Sequence, residues 1–182
     1  MRVTDNNVFF WGSIFSQWNT ENNNGKYQFK ENGKEFTSCE QYMMYHKAIL
    51  FNDLEVAEKI MRIRNVKQIK QLGREVKNFD NEIWDQNKFD IVVNGNFLKF
   101  NQNPNFKIEL YKYKDKEFVE ASPVDRIWGI GLHYDDDLVL DRKNWKGQNL
   151  LGKAINEVKE MLFDKDLKKD IEENEIVLER LL

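Results

Sequence analysis

The sequence is poor in cysteine and histidine: Cys39, His46 and His133 are the only residues of these two types. One thiol cannot form a disulfide within the chain, so the fold does not require an oxidising compartment. Three such ligands are also too few for a structural zinc site built from four Cys and His side chains. We therefore expect no structural zinc.

An excess of basic residues is also lacking, since 28 Lys and Arg stand against 31 Asp and Glu, for a formal net charge of -3. A general nucleic-acid binder needs a basic excess, because its cations replace the counterions of the phosphates. The charge balance argues against this class of protein. It remains compatible with a small basic pocket for one or two phosphates.

No apolar stretch approaches the roughly 20 residues of a membrane helix, and the segment from Met1 to Asn7 is polar. We therefore expect a cytoplasmic protein without a membrane anchor. Prolines are scarce as well, and neither Pro104 nor Pro123 marks a linker that divides the chain. With 41% hydrophobic residues, we expect one domain over residues 1–163 and a charged helical extension over residues 164–182.

Apolar periodicity and capping residues predict more helix than strand. The Asn32-Gly33 dipeptide between alternating apolar residues predicts a β-hairpin, because both residues accept a positive φ. Short strands are predicted around residues 8–11 and 116–120. Helices are predicted over residues 38–51, 53–64, 65–77, 82–100 with Gly95 as a potential break, 104–113, and 150–163.

Glu40 and Lys47 are the first candidates for chemistry. Positions seven apart on a helix differ by about 20° in direction and about 10 Å in height, so both side chains lie on one face. An anion at a helix N-terminus is favoured by the helix dipole, and it suits a transition state with positive charge on a ribosyl group. From spacing alone, a capping role for Glu40 and a surface position for Lys47 are the commoner explanation.

Residues 120–131 place two acids, an arginine and a tryptophan around turn residues. Asp125 is a candidate second carboxylate that orients water or holds ribose hydroxyls. Trp128 could stack on a base, and Gly129 would let the backbone approach a ligand closely. An ordinary turn, with Asp125 as a local cap and Trp128 in the core, explains the same residues.

A third segment, residues 145–152, leads into the last predicted helix. Asn149 can cap this helix, and the amides at the helix N-terminus could accept a phosphate. On composition alone, Trp84 and Trp145 are more typical of a core than of a platform for a base.

Taken together and in order, these segments resemble the NADAR domain family, which includes YbiA-like proteins. The resemblance covers about residues 9–163 and does not extend to residues 164–182. Residues 120–131 are its most specific part, because they match the family signature without departure. The matching stretches are Phe15-Ser16-Gln17-Trp18, residues 40–48, Lys70-Gln71-Leu72-Gly73-Arg74, Trp84, Lys99-Phe100-Asn101-Gln102-Asn103, residues 120–131 and residues 145–152.

The resemblance implies a compact α+β fold, mostly helical, with a small hairpin and strand component. It implies N-glycosidase activity without a metal or other cofactor. The substrate would be ADP-ribose attached to guanine in nucleic acid, or a ribosylated pyrimidine intermediate of riboflavin biosynthesis. Glu40 and Asp125 become the catalytic acids, with Lys47 as a further catalytic candidate. The residues then expected to contact substrate are Phe15, Ser16, Trp84, Trp128, Gly129 and Asn149.

Two routes to cleavage remain open at this point. In one, the ribose lies between Glu40 and Asp125, and one carboxylate stabilises positive charge at C1′ while the other positions water or the leaving base. In the other, burial lowers the pKa of Lys47 and its amine forms a Schiff base with the opened sugar. The alternative function is a module that binds ADP-ribose or a related nucleotide without cleaving it. We expect the binding partner to be the substrate itself, a small nucleotide or an ADP-ribosylated nucleic acid, and the oligomeric state stays open.

Overall fold

The computed structural model describes residues 1–22 and 25–163. The charged helical extension predicted over residues 164–182 lies outside these ranges. Within them the chain forms a single α+β fold dominated by helices, as the resemblance implies. Among the helices of these two ranges, none combines the length and the hydrophobicity that a membrane-spanning segment needs.

Helix starts are set by side chains that accept hydrogen bonds from the first backbone amides, which have no partner within the helix. Ser38, Asp53, Asn65 and Asp80 cap the first four helices in this way. Pro104 opens the fifth, where its missing N–H is not needed. The α-helices of the described residues are α1 (Cys39–Leu50), α2 (Leu54–Arg62), α3 (Val66–Arg74), α4 (Asn81–Gln102), α5 (Pro104–Tyr111) and α6 (Leu150–Phe163).

Short strands form three small sheets in the described part of the chain. The strands are β1 (Arg2–Val3), β2 (Asn7–Phe10), β3 (Glu21–Asn22), β4 (Gly25–Lys26), β5 (Phe29–Glu31), β6 (Lys34–Phe36) and β7 (Glu117–Glu120). One sheet has the order β1-β2-β7, while β3 pairs with β4 and β5 pairs with β6. The β5–β6 hairpin turns at Asn32 and Gly33, whose φ angles are 48° and 77°, as the Asn-Gly dipeptide predicts.

The parallel pairing of β2 with β7 brings together two distant parts of the chain. Asn7 lies opposite Glu117 and Phe10 lies opposite Glu120, so both strands end at the same edge of the sheet. The segments that follow them, the β2 loop (residues 11–20) and the β7 loop (residues 121–136), therefore leave the sheet side by side. Polar residues from both loops meet at this edge, which is where ligands commonly bind in sheets with parallel strands.

The β2 loop is held in place by hydrogen bonds to its backbone from α1 and α4. The N–H of Glu40 donates to the carbonyl oxygen of Gln17 at 3.0 Å, which joins the loop to the first turn of α1. The buried Nζ of Lys99, on α4, donates to the carbonyl oxygens of Ile14 and Ser16. Burial also lowers the pKa of Lys99. The loop thus has a fixed position although it lacks regular secondary structure.

Gly95 does not break α4, which runs without interruption from residue 81 to residue 102. The glycine instead allows α4 to approach α1, because a Cβ at this position would lie 2.7 Å from Cδ1 of Tyr42. A glycine inside a helix costs up to about 1 kcal/mol relative to alanine. The close packing of the two helices explains why a glycine is found here.

Asn149 does not cap α6, contrary to the prediction. Its side chain bonds to β7 instead: Oδ1 accepts from the N–H of Glu120 at 2.8 Å, and Nδ2 donates to the carbonyl oxygen of Phe118 at 3.3 Å. The first amides of α6 are also occupied, because the N–H groups of Leu150 and Leu151 donate to carbonyl oxygens of the β7 loop. The phosphate site predicted at this helix end is therefore filled by the chain itself.

Gly152 allows α6 to pack against β7, because a Cβ there would clash with the carbonyl oxygen of Phe118 and the side chain of Asn149. We expect Gly152→Ala to lower the free energy of unfolding, measured in urea, by about 1–3 kcal/mol, the usual range for overpacking. Lys153→Ala, at the exposed neighbouring position, should change it by less than about 0.5 kcal/mol. Equal stability of Gly152→Ala and the wild type would contradict this packing.

Candidate active site

A cleft of about 200 Å³ opens between the β2 loop, the β7 loop, α1 and α3. Acidic, basic and aromatic side chains line it. The acids are Glu40, Glu120 and Asp125, the bases are Lys47, Lys70 and Arg74, and the indoles are Trp18, Trp84 and Trp128. The cleft thus combines groups that transfer protons, cations for an anionic substrate and flat surfaces on which a base can stack.

Glu40 lies in the first turn of α1 and is only 2% exposed. It does not act as a capping-box acid, because Ser38 Oγ accepts from the N–H of Gln41 and the Gln41 side chain accepts from the N–H of Thr37. Hydrogen bonding by the Trp18 side chain lowers the pKa of the Glu40 carboxyl, against the effect of burial. Glu40 Oε1 is buried without a partner in the described residues. A buried unpaired oxygen is costly, so it is available to a ligand.

Glu120 is the last residue of β7 and is 8% exposed. It lines the same cleft as Glu40, and its Oε2 is likewise buried without a partner in the part of the chain described. Glu120 is absent from the predicted catalytic residues. Its signal in the sequence was its position at the start of the family signature, and only the pairing of β7 with β2 brings it close to Glu40.

Burial raises the pKa of both glutamates. The pKa of Glu40 rises to about 7, chiefly through burial, although the charge of nearby Lys70 partly opposes the rise. The pKa of Glu120 rises to about 8 through burial, with further increases from the charges of Asp125 and Glu40. Near neutral pH the cleft therefore retains a proton that it can donate, which is the property of a general acid.

Asp125 lies in the β7 loop and is only partly buried. Its Oδ1 accepts hydrogen bonds from the N–H groups of Ile127 and Trp128, each at 2.8 Å. The local turn that residue type alone predicts is thus present, and it coexists with a position in the wall of the cleft. Asp125 is the most exposed of the three acids, so it is the one best placed to meet solvent water.

Lys47 lines the cleft on the same helix as Glu40, as the seven-residue spacing predicts. Its Nζ donates to the carbonyl oxygen of Gly73 at 2.7 Å, and it lies 4.0 Å from the ring centroid of Phe79 and 5.5 Å from that of Trp84. Burial lowers the pKa of Lys47. Burial thus favours the neutral, nucleophilic form of the amine, while the carbonyl and ring contacts favour the charged form.

Lys70 and Arg74 form a cationic wall of the cleft on α3. They are four residues apart, so their side chains lie on the same face of the helix. The charges of both lower the pKa of Glu40. Lys70 Nζ also lies 5.2 Å from the ring centroid of Trp18. In a chain with a negative net charge, this pair gathers positive charge at one place where a phosphate could bind.

Three of the predicted contact residues, Phe15, Gly129 and Asn149, do not line the cleft. Phe15 is 1% exposed and packs in the core, with its ring centroid 4.7 Å from that of Phe118. Gly129 lies against the backbone of β7, where a Cβ would be 2.9 Å from the carbonyl oxygen of Glu120. The side chain of Asn149 is hydrogen-bonded to β7. These three residues pack beneath the two loops and do not form the surface of the cleft.

The other predicted contact residues, Ser16, Trp84 and Trp128, do line the cleft. Besides Glu120, four polar or aromatic residues that were not predicted also line it: Gln17, Trp18, Lys70 and Arg74. All four lie within motif stretches, residues 15–18 and 70–74. The stretches were therefore informative, but residue type alone did not separate a cleft residue from a neighbour that faces the core.

A family model for the NADAR domain matches residues 9–163, which include every residue of this cleft. The chain belongs to the NADAR family. The match ends where the described residues end, so residues 164–182 lie outside both.

Two relatives and one solved structure resemble this NADAR chain. N-glycosidase R617 of Acanthamoeba polyphaga mimivirus is 47% identical over 170 residues, which cover 86% of this chain and 96% of the relative. Protein irg-1 of Caenorhabditis elegans is 36% identical over 156 residues, which cover 85% and 74%. The NMR structure of E. coli YbiA matches with a TM-score of 0.69 and 22% identity, covering 88% of this chain and 87% of YbiA. At this identity, the likeness to YbiA establishes a shared fold.

The raised pKa of Glu120 predicts a dependence of stability on pH. Because its folded pKa of about 8 lies above the ordinary value of 4.5, the folded protein binds this proton more tightly than the unfolded chain does. The resulting stabilisation is full below pH 4.5 and is lost as the pH rises through about 8. Relative to Glu120→Gln, the free energy of unfolding of the wild type should fall by at most about 1.4 kcal/mol per pH unit between pH 4.5 and about pH 8.

Urea denaturation of both proteins between about pH 5 and about pH 9 measures this difference. Glu157→Gln, at an exposed position on α6, is the matched control and should follow the wild type at every pH. Parallel curves for the wild type and Glu120→Gln would show that Glu120 titrates as it does in water.

Proposed function

We propose that this NADAR protein is an N-glycosidase that hydrolyses the bond between C1′ of a ribose and a nitrogen of a base. The observation that carries the proposal is the pair of buried carboxyls in one cleft, with Glu40 Oε1 and Glu120 Oε2 both unpaired in the described residues. A relative of 47% identity bears the name N-glycosidase, which supports the same activity here.

The acids suit different steps of the cleavage. Breaking the C1′–N bond leaves a sugar that resembles an oxocarbenium ion. Glu40 has the lower pKa of the two buried acids and lies at the N-terminus of α1, so it is the better anion to stabilise that charge. Glu120 has the higher pKa and is the better acid to protonate the leaving base. Asp125, which is more exposed, is suited to orient the attacking water.

The remaining walls suit a phosphorylated nucleotide. Trp84 and Trp128 offer faces on which a base or ribose can stack, and Lys70 and Arg74 offer positive charge to a phosphate. We propose two substrate classes with these features: ADP-ribose attached to guanine, and ribosylaminopyrimidine intermediates of riboflavin biosynthesis. A cleft of about 200 Å³ holds the ribose and its immediate neighbours, so the rest of a larger substrate would extend outside it.

A covalent route through Lys47 is the second mechanism that the cleft supports. The C1′–O4′ bond breaks first: the base nitrogen loses its proton, O4′ takes one up, and the opened sugar is joined to the base by an imine at C1′. The neutral Lys47 amine then adds to C1′, the base leaves with a proton, and an imine on Lys47 remains. Water hydrolyses this imine, which releases the sugar and restores the amine. The lowered pKa of Lys47 favours the neutral amine that the route requires.

A module that binds ADP-ribose without cleaving it is the competing function. Binding of the phosphates gains nothing from Glu40 and Glu120, because carboxylates repel an anionic ligand when they are ionised. Two acids buried together with raised pKa values are typical of a catalytic site. They are not expected in a reader, a protein that binds a phosphorylated ligand without cleaving it.

The activity test is chromatography of the base and sugar released from two substrates, an oligonucleotide carrying ADP-ribosylated guanine and a phosphoribosylaminopyrimidine. We expect the wild type to cleave at least one of them. Glu40→Gln and Glu120→Gln should each lower kcat/KM by about 10²–10⁴-fold, the usual contribution of a general acid or base. Glu157→Gln should retain the wild-type rate because this residue is exposed on α6, outside the cleft.

Release of ADP-ribose from the oligonucleotide would identify an enzyme that reverses guanine ADP-ribosylation. Cleavage of the pyrimidine substrate alone would identify an enzyme that removes riboflavin intermediates. Binding of ADP-ribose with cleavage of neither substrate would contradict the N-glycosidase and favour the reader.

The covalent route makes a separate prediction. Borohydride added during turnover should reduce the imine to a stable secondary amine, and mass spectrometry should then find the sugar attached to Lys47. Lys47→Arg keeps the positive charge but cannot form the imine, so it should give no adduct. If the wild type turns over in borohydride without an adduct on Lys47, the covalent route is wrong and direct hydrolysis at Glu40 remains.

A further inference from the structure

Gln17 is a buried amide whose orientation is fixed by its neighbours. It lies in the β2 loop, lines the cleft and is 5% exposed. Asn96, fully buried on α4, donates through Nδ2 to the carbonyl oxygen of Val92 at 2.8 Å and to Gln17 Oε1 at 3.2 Å. Because a carbonyl oxygen only accepts, Asn96 must present its NH₂ group on this side, and Gln17 must meet it with its oxygen.

Cys39 lies at the other end of the Asn96 amide. Its Sγ is 3.6 Å from Asn96 Oδ1 and 3.6 Å from the carbonyl oxygen of Gly95, and burial raises the pKa of the thiol to about 11, so the protonated thiol has two acceptors within reach. The contacts from Cys39 through Asn96 to Gln17 leave Gln17 Nε2 as a buried donor without a partner in the described residues. Buried polar groups are almost always paired, so a free donor at a cleft indicates a ligand.

Glu40 supplies an acceptor that complements this donor. The N–H of Glu40 donates to the carbonyl oxygen of Gln17, so one backbone hydrogen bond connects the two residues. Glu40 Oε1 and Gln17 Nε2 do not bond to each other, and within the described residues neither has another partner. Both residues line the cleft, and a hydroxyl group is the ligand whose chemistry matches the two, because its oxygen accepts one hydrogen bond while its proton is donated in another.

We infer that Gln17 and Glu40 together bind the 2′-hydroxyl of the substrate ribose, so that the protein acts on ribosides and not on 2′-deoxyribosides. The inference rests on the proposed function, in which Glu40 lies next to C1′, because the 2′-hydroxyl is attached to the adjacent carbon. Gln17 is then a specificity-determining residue. Hydrogen bonds to this hydroxyl also strengthen in the transition state of glycoside cleavage.

This selectivity matters for a ribosylated base in DNA. Every nucleotide of DNA contains a C1′–N bond to a deoxyribose, of the kind that an N-glycosidase breaks. A requirement for the 2′-hydroxyl restricts cleavage to the added ribose and leaves the glycosidic bonds of the DNA intact. A deoxyriboside would leave Gln17 and Glu40 both unpaired, which is why the discrimination is strong.

The test is a two-by-two comparison of protein and sugar by isothermal titration calorimetry. The wild type and Gln17→Met are each titrated with D-ribose 5-phosphate and with 2-deoxy-D-ribose 5-phosphate, which carry the two sugars without any base. We expect the wild type to bind the ribose about tenfold to hundredfold more tightly than the deoxyribose. Gln17→Met should lower this preference by about threefold to tenfold, because the hydrogen bond from Gln17 is gone while the one to Glu40 remains.

Gln102→Met is the matched control. The Gln102 amide bonds to the backbone of Lys30 outside the cleft, so this variant should keep the wild-type preference. Gln17→Asn keeps an amide but withdraws it by one methylene, and it replaces Gln17→Met if circular dichroism shows that the latter does not fold. A general loss of structure weakens binding of both sugars, so the ratio of the two affinities separates recognition from folding.

Equal binding of the two sugars by the wild type, or an unchanged preference in the Gln17 variants, overturns the inference. The proposed function would still stand if the release assay detects cleavage. A ribose preference that depends on Gln17, in a protein that cleaves neither substrate, would overturn the N-glycosidase and support the recognition of the hydroxyl.

Discussion

The parallel pairing of β2 with β7 is the constraint on which the site depends. It aligns Phe10 with Glu120, so both strands end at one edge of the sheet and the β2 loop and the β7 loop begin there together. The bond from the N–H of Glu40 to the carbonyl oxygen of Gln17 then attaches the start of α1 to the β2 loop. The side chain of Asn149 links β7 to the segment before α6, because it accepts a hydrogen bond from the N–H of Glu120. Without this pairing, Glu40 and Glu120 would have no common cleft.

Burial gives these two acids properties that neither has in water. Each unit of pKa shift corresponds to about 1.4 kcal/mol of differential interaction between the protonation states, and unpaired buried oxygens add a further cost. Lys70 and Arg74 offset part of the cost for Glu40. Perturbed acids in a cleft are typical of active sites, where stability is given up for reactivity. The proposed cleavage of a glycosidic bond in a phosphorylated nucleotide would account for the acids, the cations and the indoles together.

Local signals predicted most of the fold. A cap such as Ser38 and a turn such as Asn32-Gly33 act within a few residues, so the sequence alone locates helices and the hairpin. The sequence alone did not predict the contacts between segments that are distant in the chain. In the sequence, Glu120 looks like an ordinary strand residue, and its role depends on the pairing of β7 with β2. Asn149 looks like a helix cap, but in the structure its side chain binds β7. The family motifs predicted the stretches that form the cleft, but the side chains that line it depend on tertiary packing.

The central claim is that Glu40 and Glu120 share one buried cleft and keep protons near neutral pH. NMR titration of protein labelled with carbon-13 at the glutamate carboxyl groups tests this claim most directly. The predicted result is one carboxyl that titrates at about pH 7 and disappears in Glu40→Gln, and another at about pH 8 that disappears in Glu120→Gln. Removal of the Glu40 charge should also lower the pKa of Glu120, because that charge helps to raise it. Titration of every glutamate carboxyl below about pH 5.5, within the range of exposed groups, would contradict the claim.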